Sequence, residues 1–358
     1  MTNAEFLAQK GAEAFLSTDE KTMWYFTRFV SSYGYLVLLP EKTLFLTDLR
    51  YKEGAEKKLS PKGIEVKVIS PKNAIETLSS VLACAKKVGY QADAITVQDF
   101  RALEPLEKEW IDFSDEVYET ESVKTAEEIA LIQKACKITE KTYLDILSYF
   151  KEGVTELEVA NEMEYRMKKA GATGLAFETI VAFGKNAAVP HHVPDNTRLK
   201  EGMAILMDFG CSYQGYCSDM TRTVFFGEPT KAFRDAYAVV LEAHLSARAA
   251  ITAGMKTADA DKIARSIIDG SKYRGLFTHS LGHGVGVHIH ERPFVSPTSP
   301  AVFAENMVFT DEPGIYKENK FGIRIEDTLR IENGKAVSFM KTDKKLVAIV
   351  NGKVKKYR

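Results

Sequence analysis

The chain has 358 residues, of which 45% are hydrophobic and 27% are charged. This length is enough for about two domains, and the composition is typical of a globular protein with a buried core. With 48 basic and 49 acidic residues the formal net charge is -1. This balance argues against a strongly positive surface that would bind nucleic acid or a membrane.

The sequence predicts a cytoplasmic protein. It contains no apolar run long enough to span a bilayer, and its N-terminal residues have neither the basic start nor the apolar run of a secretion signal. The cysteines lack the regular spacing of a disulfide framework, so we expect reduced thiols. There are four of them: Cys84, Cys136, Cys211 and Cys217.

The first 120 residues predict a separate α/β unit. Residues 33–40 and 42–47 are apolar, β-rich runs joined by a short turn, and residues 64–69 form a third run. Residues 73–87 have the apolar spacing of a helix. No residue cluster in this unit indicates catalysis, so we expect it to serve packing, subunit contact or restriction of access to a neighbouring site.

Helix-start signals mark the beginning of a second domain. Thr125 followed by Glu128 forms a capping box, and a second capping box begins at Thr155. We therefore predict two domains, residues 1–122 and residues 123–358.

The second domain shows signs of an internal duplication. The pair of helices after Thr125 recurs in residues 230–252 and 257–270, again with a glycine between the two helices. Asp208 and Glu312 each follow the methionine of a Glu-Gly-Met or Glu-Asn-Met segment by the same number of residues. We expect an α+β domain of two similar halves related by a pseudo-two-fold axis, with Asp208 and Glu312 in one cleft.

Two apolar strand segments of the second domain carry carboxylates. Asp208 lies near the end of residues 204–210, and Asp219 lies in a predicted return strand, residues 215–226. A carboxylate in such a strand is unfavourable unless it is paired or metal-bound, and two on adjacent strands repel unless a cation lies between them. The second half adds three candidate ligands: His283, Glu312 and Glu326. Each residue alone is more often explained by a salt bridge or a turn, but five in this order favour two divalent cations of the Mn²⁺, Co²⁺, Fe²⁺ or Zn²⁺ type.

Several motifs together resemble one known family. The sequence resembles the proline-specific metallopeptidases of the pita-bread family, which are the Xaa-Pro aminopeptidases and prolidases. Residues 44–51 resemble part of the family's creatinase-like N-terminal domain. The motifs in the catalytic domain are residues 177–192, 208–223, 279–291, 312–316 and 322–328.

The resemblance implies a ligand set and a reaction. Asp208, Asp219, His283, Glu312 and Glu326 would hold two divalent ions, Mn²⁺ being the first choice, with Asp219 and Glu326 bridging them. A hydroxide bridging the ions would attack the Xaa-Pro bond at the N-terminus of a peptide, with Glu312 as general base. The expected partners are proline-containing peptides and a second copy of the chain, with no nucleic acid and no membrane.

The resemblance also implies residues around the metal ions. His191, His279 and His290 match histidines that contact the substrate or the developing oxyanion. Arg324, expected on the same strand face as Glu326, either neutralises buried carboxylates or binds a substrate carboxylate. Phe177 matches an apolar position near the cleft, for which a plain core role is the alternative. The remaining histidines are predicted to be structural: His192, His244 and His288.

One departure from the family pattern bears on substrate length. Strict dipeptidases can carry an arginine shortly after the His290-Glu291 pair, but here Phe294 stands at that position and Arg292 is predicted to point away. This difference favours an Xaa-Pro aminopeptidase over a strict Xaa-Pro dipeptidase. A metal-free creatinase-like hydrolase and a binding homologue without activity would also share the fold. The complete ligand set argues against both.

Overall fold

The computed structural model describes residues 1–357 and divides the chain into two compact units, Met1–Thr120 and the part that begins at Glu121. None of its described helices is long and apolar enough to cross a membrane. The first unit has helices α1 to α6: Asn3–Ala8, Glu20–Thr27, Lys52–Leu59, Ala74–Val81, Val97–Ala102 and Ser114–Ser122, the last of which runs past the unit's end. Its strands β1 to β6 are Ala14–Ser17, Tyr35–Leu39, Lys42–Thr47, Ile64–Val68, Lys87–Tyr90 and Glu109–Asp112.

The strands of the first unit form a six-stranded mixed sheet in the order β4-β3-β2-β1-β5-β6. Strand β2 shows why these apolar runs become strands. Val37 packs into one hydrophobic cluster, while Leu36 and Leu38 pack into another. Because successive side chains of a strand point to opposite faces, an uninterrupted apolar run fits a sheet that is covered on both sides. The three strands predicted in residues 33–69 are confirmed.

The helix predicted for residues 73–87 is shorter in the structure and ends at Val81. The chain turns after Leu82, and Lys87 begins strand β5. The carboxylate of Glu13 accepts hydrogen bonds from the backbone N–H groups of Lys86 and Lys87. This contact, distant in sequence, starts the strand in a segment whose apolar spacing alone indicated a helix.

The second unit is larger and contains every predicted site residue. Its helices α7 to α10 are Ala126–Ile146, Glu156–Lys169, Lys231–Ala250 and Thr257–Asp269. Strands β7 to β14 are Gly174–Leu175, Ile180–Phe183, Met203–Phe209, Cys211–Tyr213, Tyr216–Cys217, Met220–Phe226, Gly282–Gly284 and Glu291–Val295. Strands β15 to β21 are Val308–Asp311, Gly314–Lys317, Phe321–Arg324, Asp327–Glu332, Lys335–Ser338, Val347–Val350 and Lys353–Lys356. Short 3₁₀ helices lie at Ser60–Lys62 and Glu104–Leu106 in the first unit and at Asn186–Ala188 in the second.

The second unit repeats one order of elements. In its first half a helix pair, α7 and α8, precedes the antiparallel strands β9 and β12, and in its second half α9 and α10 precede the antiparallel strands β15 and β18. Each strand pair belongs to its own five-stranded sheet, β21-β20-β12-β9-β8 or β14-β13-β15-β18-β19. Asp208 lies on β9 and Glu312 directly follows β15. The two residues therefore occupy equivalent places in the two halves.

Local capping explains where the first two helices of this unit begin. The hydroxyl of Thr125 accepts from the N–H of Glu128, whose carboxylate accepts from the N–H of Thr125. Thr155 and Glu158 make the same reciprocal pair at the start of α8. Both predicted capping boxes are confirmed.

Two strands that the sequence predicted as continuous are interrupted at proposed ligands. The return strand stops after Cys217 and resumes at Met220, leaving Asp219 in the gap. Arg324 ends β17, and Glu326 lies between β17 and β18 instead of on one strand with Arg324. The first gap needs Gly210, because a Cβ atom there would approach the carbonyl oxygen of Ser218 to 1.9 Å. Because of these interruptions, neither carboxylate follows the alternating side-chain directions of a regular strand.

Candidate metal centre

All ten residues predicted for the site line one cavity of about 400 Å³ in the second unit. The five candidate ligands come from strand β9, from β13 and from the gaps or ends beside β12, β15 and β18. The structure brings the following predicted residues together: Phe177, His191, Asp208, Asp219, His279, His283, His290, Glu312, Arg324 and Glu326. The cavity wall also includes Ile180, Pro190, Ser280, Gly282 and Phe294.

Nitrogen and oxygen donors converge at the floor of this cavity. The Nε2 atom of His283 lies 3.4 Å from Oε1 of Glu312 and 3.6 Å from Oδ2 of Asp219. Donor atoms of Asp219, His283 and Glu326 all lie within 4.8 Å of one another. One cation can contact donors at this separation from a point between them.

His283 presents an unprotonated nitrogen to the cluster. Its Nδ1 lies 3.0 Å from the carbonyl oxygen of Gly284, which can only accept, so Nδ1 carries the proton. Burial, together with the neighbouring His290, lowers the pKa of His283 to about 4. The imidazole is therefore neutral at neutral pH, with its Nε2 lone pair aimed at the carboxylates, the form that binds a metal ion.

The carboxylates of the cluster are electrostatically strained in the absence of a cation. Burial raises the pKa of Asp219 well above its ordinary value, and Glu326, Asp208 and Glu312 raise it further. Burial and the neighbouring Glu312 raise the pKa of Glu326 in the same way. Burial raises the pKa of Glu312 to about 8, with Arg324 opposing the shift and Asp208 adding to it. Like charges crowded out of water in this manner are stabilised by an added positive charge.

Two buried carboxylate oxygens could bind a cation. Oδ1 of Asp208 and Oδ1 of Asp219 are buried, and neither accepts a hydrogen bond from any residue in the range 1–357. An ionised oxygen buried without a partner is unfavourable, and coordination of a cation removes the penalty. The donor set of carboxylate oxygens and one imidazole nitrogen therefore fits divalent metal ions.

Arg324 is tied into the wall of the site. Its Nη2 donates to Oδ2 of Asp208, its Nη1 donates to the hydroxyl of Tyr316 at 2.7 Å, and its Nε donates to the hydroxyl of Thr221 at 3.0 Å. Nη1 also lies 3.5 Å from the carbonyl oxygen of Pro190. A guanidinium has five N–H groups, so most of its donors are already engaged. This geometry favours neutralisation of buried carboxylates over binding of a substrate carboxylate.

The remaining predicted residues surround the cluster. His279 is half-buried, with Nε2 2.8 Å from the hydroxyl of Tyr316 and Nδ1 2.8 Å from the carbonyl of Ser280. Its pKa is lowered to about 3 by burial and by Arg324. The ring of His290 stands edge-on to His283, with centroids 4.4 Å apart.

The residues nearest the opening of the cavity are less buried. His191 and His290 are exposed, and Phe177 is half-buried on the cavity wall. These side chains border the space that a ligand would enter, whereas the carboxylates lie deeper.

Sequence reasoning missed the hydroxyl groups that hold the site residues. Thr221 donates to Oε2 of Glu326 at 2.6 Å, and Thr310 donates to Oε1 of Glu312 at 3.2 Å. Tyr316 connects His279 to Arg324. The usable signal was a spacing of two residues. Thr221 on β12 follows Asp219 by two positions, and Thr310 on β15 precedes Glu312 by two positions.

Two of the three histidines predicted to be structural contact buried carboxylates. His244 is fully buried and its Nδ1 lies 3.2 Å from Oδ2 of Asp311. His192 binds Glu156 at 2.7 Å. Both lie outside the cavity lining described above and hold elements of the second unit together.

Comparison with known proteins agrees with this fold. Residues 130–333 match the model of metallopeptidase family M24, and residues 4–123 match that of the creatinase/prolidase N-terminal domain. The class defined by the fold and the site is thus a two-domain metallopeptidase. The chain belongs to metallopeptidase family M24, and its larger unit has the pita-bread fold that the sequence predicted.

Relatives and solved structures resemble the chain over nearly its whole length. An Xaa-Pro dipeptidase from Pyrococcus furiosus is 37% identical over 317 residues, which are 88% of this chain and 89% of the relative. The structure of an Xaa-Pro dipeptidase from Bacillus anthracis superposes with a TM-score of 0.92 at 34% identity, covering 97% of this chain and 99% of that one. An X-Pro aminopeptidase from Thermotoga maritima superposes with a TM-score of 0.88 at 32% identity, covering 96% and 100%.

Proposed function

We propose that this enzyme hydrolyses the bond between an N-terminal residue and a following proline. The observation that carries the proposal is the convergence of four carboxylates and His283 in one cavity, where two carboxylate oxygens lack hydrogen-bond partners among residues 1–357. The relatives named above carry the names Xaa-Pro dipeptidase and X-Pro aminopeptidase, which supports the same substrate class.

Five residues would hold two divalent ions: Asp208, Asp219, His283, Glu312 and Glu326. Bound there, the ions would supply a water of lowered pKa as nucleophile and polarise the peptide carbonyl. Mn²⁺ is the proposed physiological metal, since hard oxygen donors predominate in the set.

Glu312 is the proposed proton carrier. Its carboxylate lies at the cavity floor, 3.4 Å from His283, and Thr310 holds one of its oxygens. As an ionised carboxylate beside the attacking water, Glu312 can accept a proton from that water and pass it to the imino nitrogen of proline. The transfer is needed because the departing proline nitrogen must be protonated.

Histidines at the opening of the cavity are proposed to orient the substrate. His191 and His290 are exposed and can donate to the carbonyl oxygen as negative charge develops on it. His279, half-buried and linked to Tyr316, is proposed to contact the substrate from deeper in the cavity. Phe177 and Ile180 supply apolar surface suited to the proline ring.

Phe294 supports a peptidase that accepts more than dipeptides. It is 50% exposed and lines the cavity, at the place where a cation would be needed to pair with the free carboxylate of a dipeptide. Arg324 does not replace that cation, because its donors are engaged by Asp208, Tyr316 and Thr221. We therefore propose an Xaa-Pro aminopeptidase, with the strict dipeptidase as the second candidate supported by the names of the relatives.

Location and assembly are part of the proposal. All four cysteines are free thiols, which suits a cytoplasmic protein, where thiols stay reduced. The domain boundary at residue 122, predicted from the helix-start signal at Thr125, and a homodimer, implied by the family resemblance, are likewise proposed. Light scattering after gel filtration measures the assembly.

The test of the function is hydrolysis of Xaa-Pro dipeptides and of longer Xaa-Pro-Yaa peptides with Mn²⁺ present. We expect cleavage before proline, its loss after treatment with EDTA, and two bound ions per chain by elemental analysis. Unchanged cleavage by a metal-free protein would reject the proposal in favour of a creatinase-like hydrolase. Bound metal without cleavage of any proline peptide would favour a binding homologue.

A further inference from the structure

A tight turn presents two residues of the cavity wall. The N–H of His192 donates to the carbonyl of Val189 at 3.2 Å and closes a turn with Pro190 and His191 at its centre. Proline suits the first central position because its ring fixes the backbone there. Both central residues line the cavity, and His191 is exposed. The place of the His191 ring therefore depends on what fixes the two ends of the turn.

Glu156 fixes the segment around this turn. It is fully buried at the start of α8. Its Oε1 accepts from the N–H of Phe183 at 2.6 Å and from Nδ2 of Asn186 at 3.0 Å. Its Oε2 accepts from Nε2 of His192 at 2.7 Å and from the N–H of Asp195 at 3.1 Å. One carboxylate thus binds residues on both sides of His191.

Glu156, His192 and Asp195 are residue types that can bind a metal ion, but their polar atoms are used in hydrogen bonds. Donor atoms of Glu156, His192 and Asp195 lie within 4.8 Å of one another. A carboxylate offers about four lone-pair sites, and all four of Glu156 accept hydrogen bonds. Oδ1 of Asp195 accepts from the N–H of Thr197 at 2.6 Å. Because the carboxylate can only accept, Nε2 of His192 carries a proton and has no lone pair for a cation.

We propose that Glu156 and His192 are positioning residues that hold His191 against the substrate. The inference rests on the proposed function, in which His191 contacts the bound peptide. The hydrogen bond between Glu156 and His192 acts on the cavity because a peptide bond joins His192 to His191, which lines it. On the opposite side Arg324 approaches the carbonyl oxygen of Pro190 at 3.5 Å, so the turn is held from both directions.

Hydrogen–deuterium exchange tests the anchoring without any need for activity. His192→Leu removes the donor to Glu156 and replaces the imidazole with an apolar side chain of comparable size. We expect faster exchange in residues 184–195 and unchanged exchange in strands β9 and β12. His192→Gln, whose amide can donate to the carboxylate, should restore most of the protection. Unchanged exchange of residues 184–195 in the leucine variant would overturn the proposal.

A matched control separates anchoring from general loss of stability. Thr125→Ala removes the N-cap of α7, which is remote from the turn along the chain. It should lower the melting temperature without selective exchange in residues 184–195. Selective exchange there in the Thr125→Ala variant would overturn the assignment to Glu156 and His192. Titration with Mn²⁺ alone should give the same number of bound ions for His192→Leu as for the wild type; one ion fewer would overturn it in favour of a third metal site.

A double-mutant cycle tests whether His192 acts through His191. In the wild-type background we expect His192→Leu to lower kcat/KM for an Xaa-Pro peptide about 10-fold, because small misplacements of a contacting group reduce rate strongly. In the His191→Ala background the same change should have almost no further effect. Equal losses in both backgrounds would overturn the positioning role. If the wild type cleaves no Xaa-Pro peptide, the proposed function fails, and the exchange experiment still decides the anchoring.

Discussion

Thr221 and Glu326 are joined by a hydrogen bond of 2.6 Å, in which the buried hydroxyl donates to Oε2 of the carboxylate. The same hydroxyl oxygen accepts from Nε of Arg324 at 3.0 Å. The backbone N–H of Glu326 in turn donates to the carbonyl of Thr221 at 3.1 Å. Side chain and backbone of one threonine on β12 therefore hold Glu326 in its gap between strands before any ion is bound.

Removing this hydroxyl is expected to weaken metal binding. Thr221→Val keeps the shape of the side chain but leaves Glu326 without its donor, and loss of a partner to a ligand typically lowers metal affinity about 10–100-fold. Isothermal titration with Mn²⁺ measures the change. Thr221→Ser retains the hydroxyl and serves as the matched control, and equal affinity of the valine and serine variants would contradict the role given to the hydrogen bond.

Asp219→Asn is expected to abolish binding of both ions and the proposed activity while the chain stays folded. The neutral amide cannot serve as a bridging anion, and it relieves the repulsion that raises the pKa of Asp219 in the metal-free protein. The metal-free variant should consequently melt no lower than the metal-free wild type. Elemental analysis, circular dichroism and peptide assays check the three parts. Full metal content in the variant would refute the bridging assignment.

The stability of the metal-free protein should depend on pH through Glu312. Its pKa is raised to about 8 in the folded state, so folded Glu312 holds a proton that the unfolded chain has released. Where the folded state binds more protons, stability falls as pH rises, here from the ordinary glutamate value up to about 8. Glu312→Gln does not titrate and should therefore become increasingly stable relative to the wild type as pH rises. For the metal-free proteins, the difference between the two melting temperatures should grow between about pH 6 and about pH 9. A constant difference over that range would count against the assignment.

His290→Ala should separate catalysis from metal binding. The residue is exposed beside His283 and is not among the proposed ligands. Loss of one donor to a developing oxyanion lowers kcat by about 10²–10³-fold. Metal content should change little. Parallel measurement of kcat and bound Mn²⁺ checks this, and a loss of metal that matches the loss of turnover would show His290 to be a ligand instead.

Phe294→Arg is expected to shift the preference toward dipeptides. A guanidinium at this half-exposed position can pair with the free carboxylate of an Xaa-Pro dipeptide, and an exposed ion pair contributes up to ~1 kcal/mol, or about a fivefold change. The ratio of kcat/KM for a dipeptide to that for an Xaa-Pro-Yaa peptide measures the shift. Phe294→Gln, polar but neutral, controls for loss of the ring; an equal shift in that variant would exclude a charge effect.

Features set by nearby residues were predictable from the sequence. The capping boxes at Thr125 and Thr155 involve residues three positions apart, so the helix starts could be predicted without tertiary information. The apolar runs of the first unit are strands because both sheet faces are covered. The five candidate ligands were identified from their residue types and order, and the histidines around them through resemblance to family motifs; the structure brings them into one cavity.

Features set by distant contacts were not predictable. The gap at Asp219 depends on its N–H binding Thr328, more than a hundred positions along the chain. The N–H groups of Lys86 and Lys87, inside the predicted helix, donate to the distant Glu13. Tyr316 was missed because its hydroxyl meets Arg324 and His279 only in the folded protein. Apolar periodicity carries no information about such pairings.

The proposed ligands are divided between the two halves of the second unit, and Glu326 is the last of them along the chain. A nascent polypeptide that has emerged only as far as Asp219 offers two carboxylates and no imidazole from this set. High-affinity capture of ions must then wait until synthesis of the chain has passed Glu326. Metal acquisition consequently requires residues of both halves, and fragments truncated before Glu326 should bind divalent ions weakly.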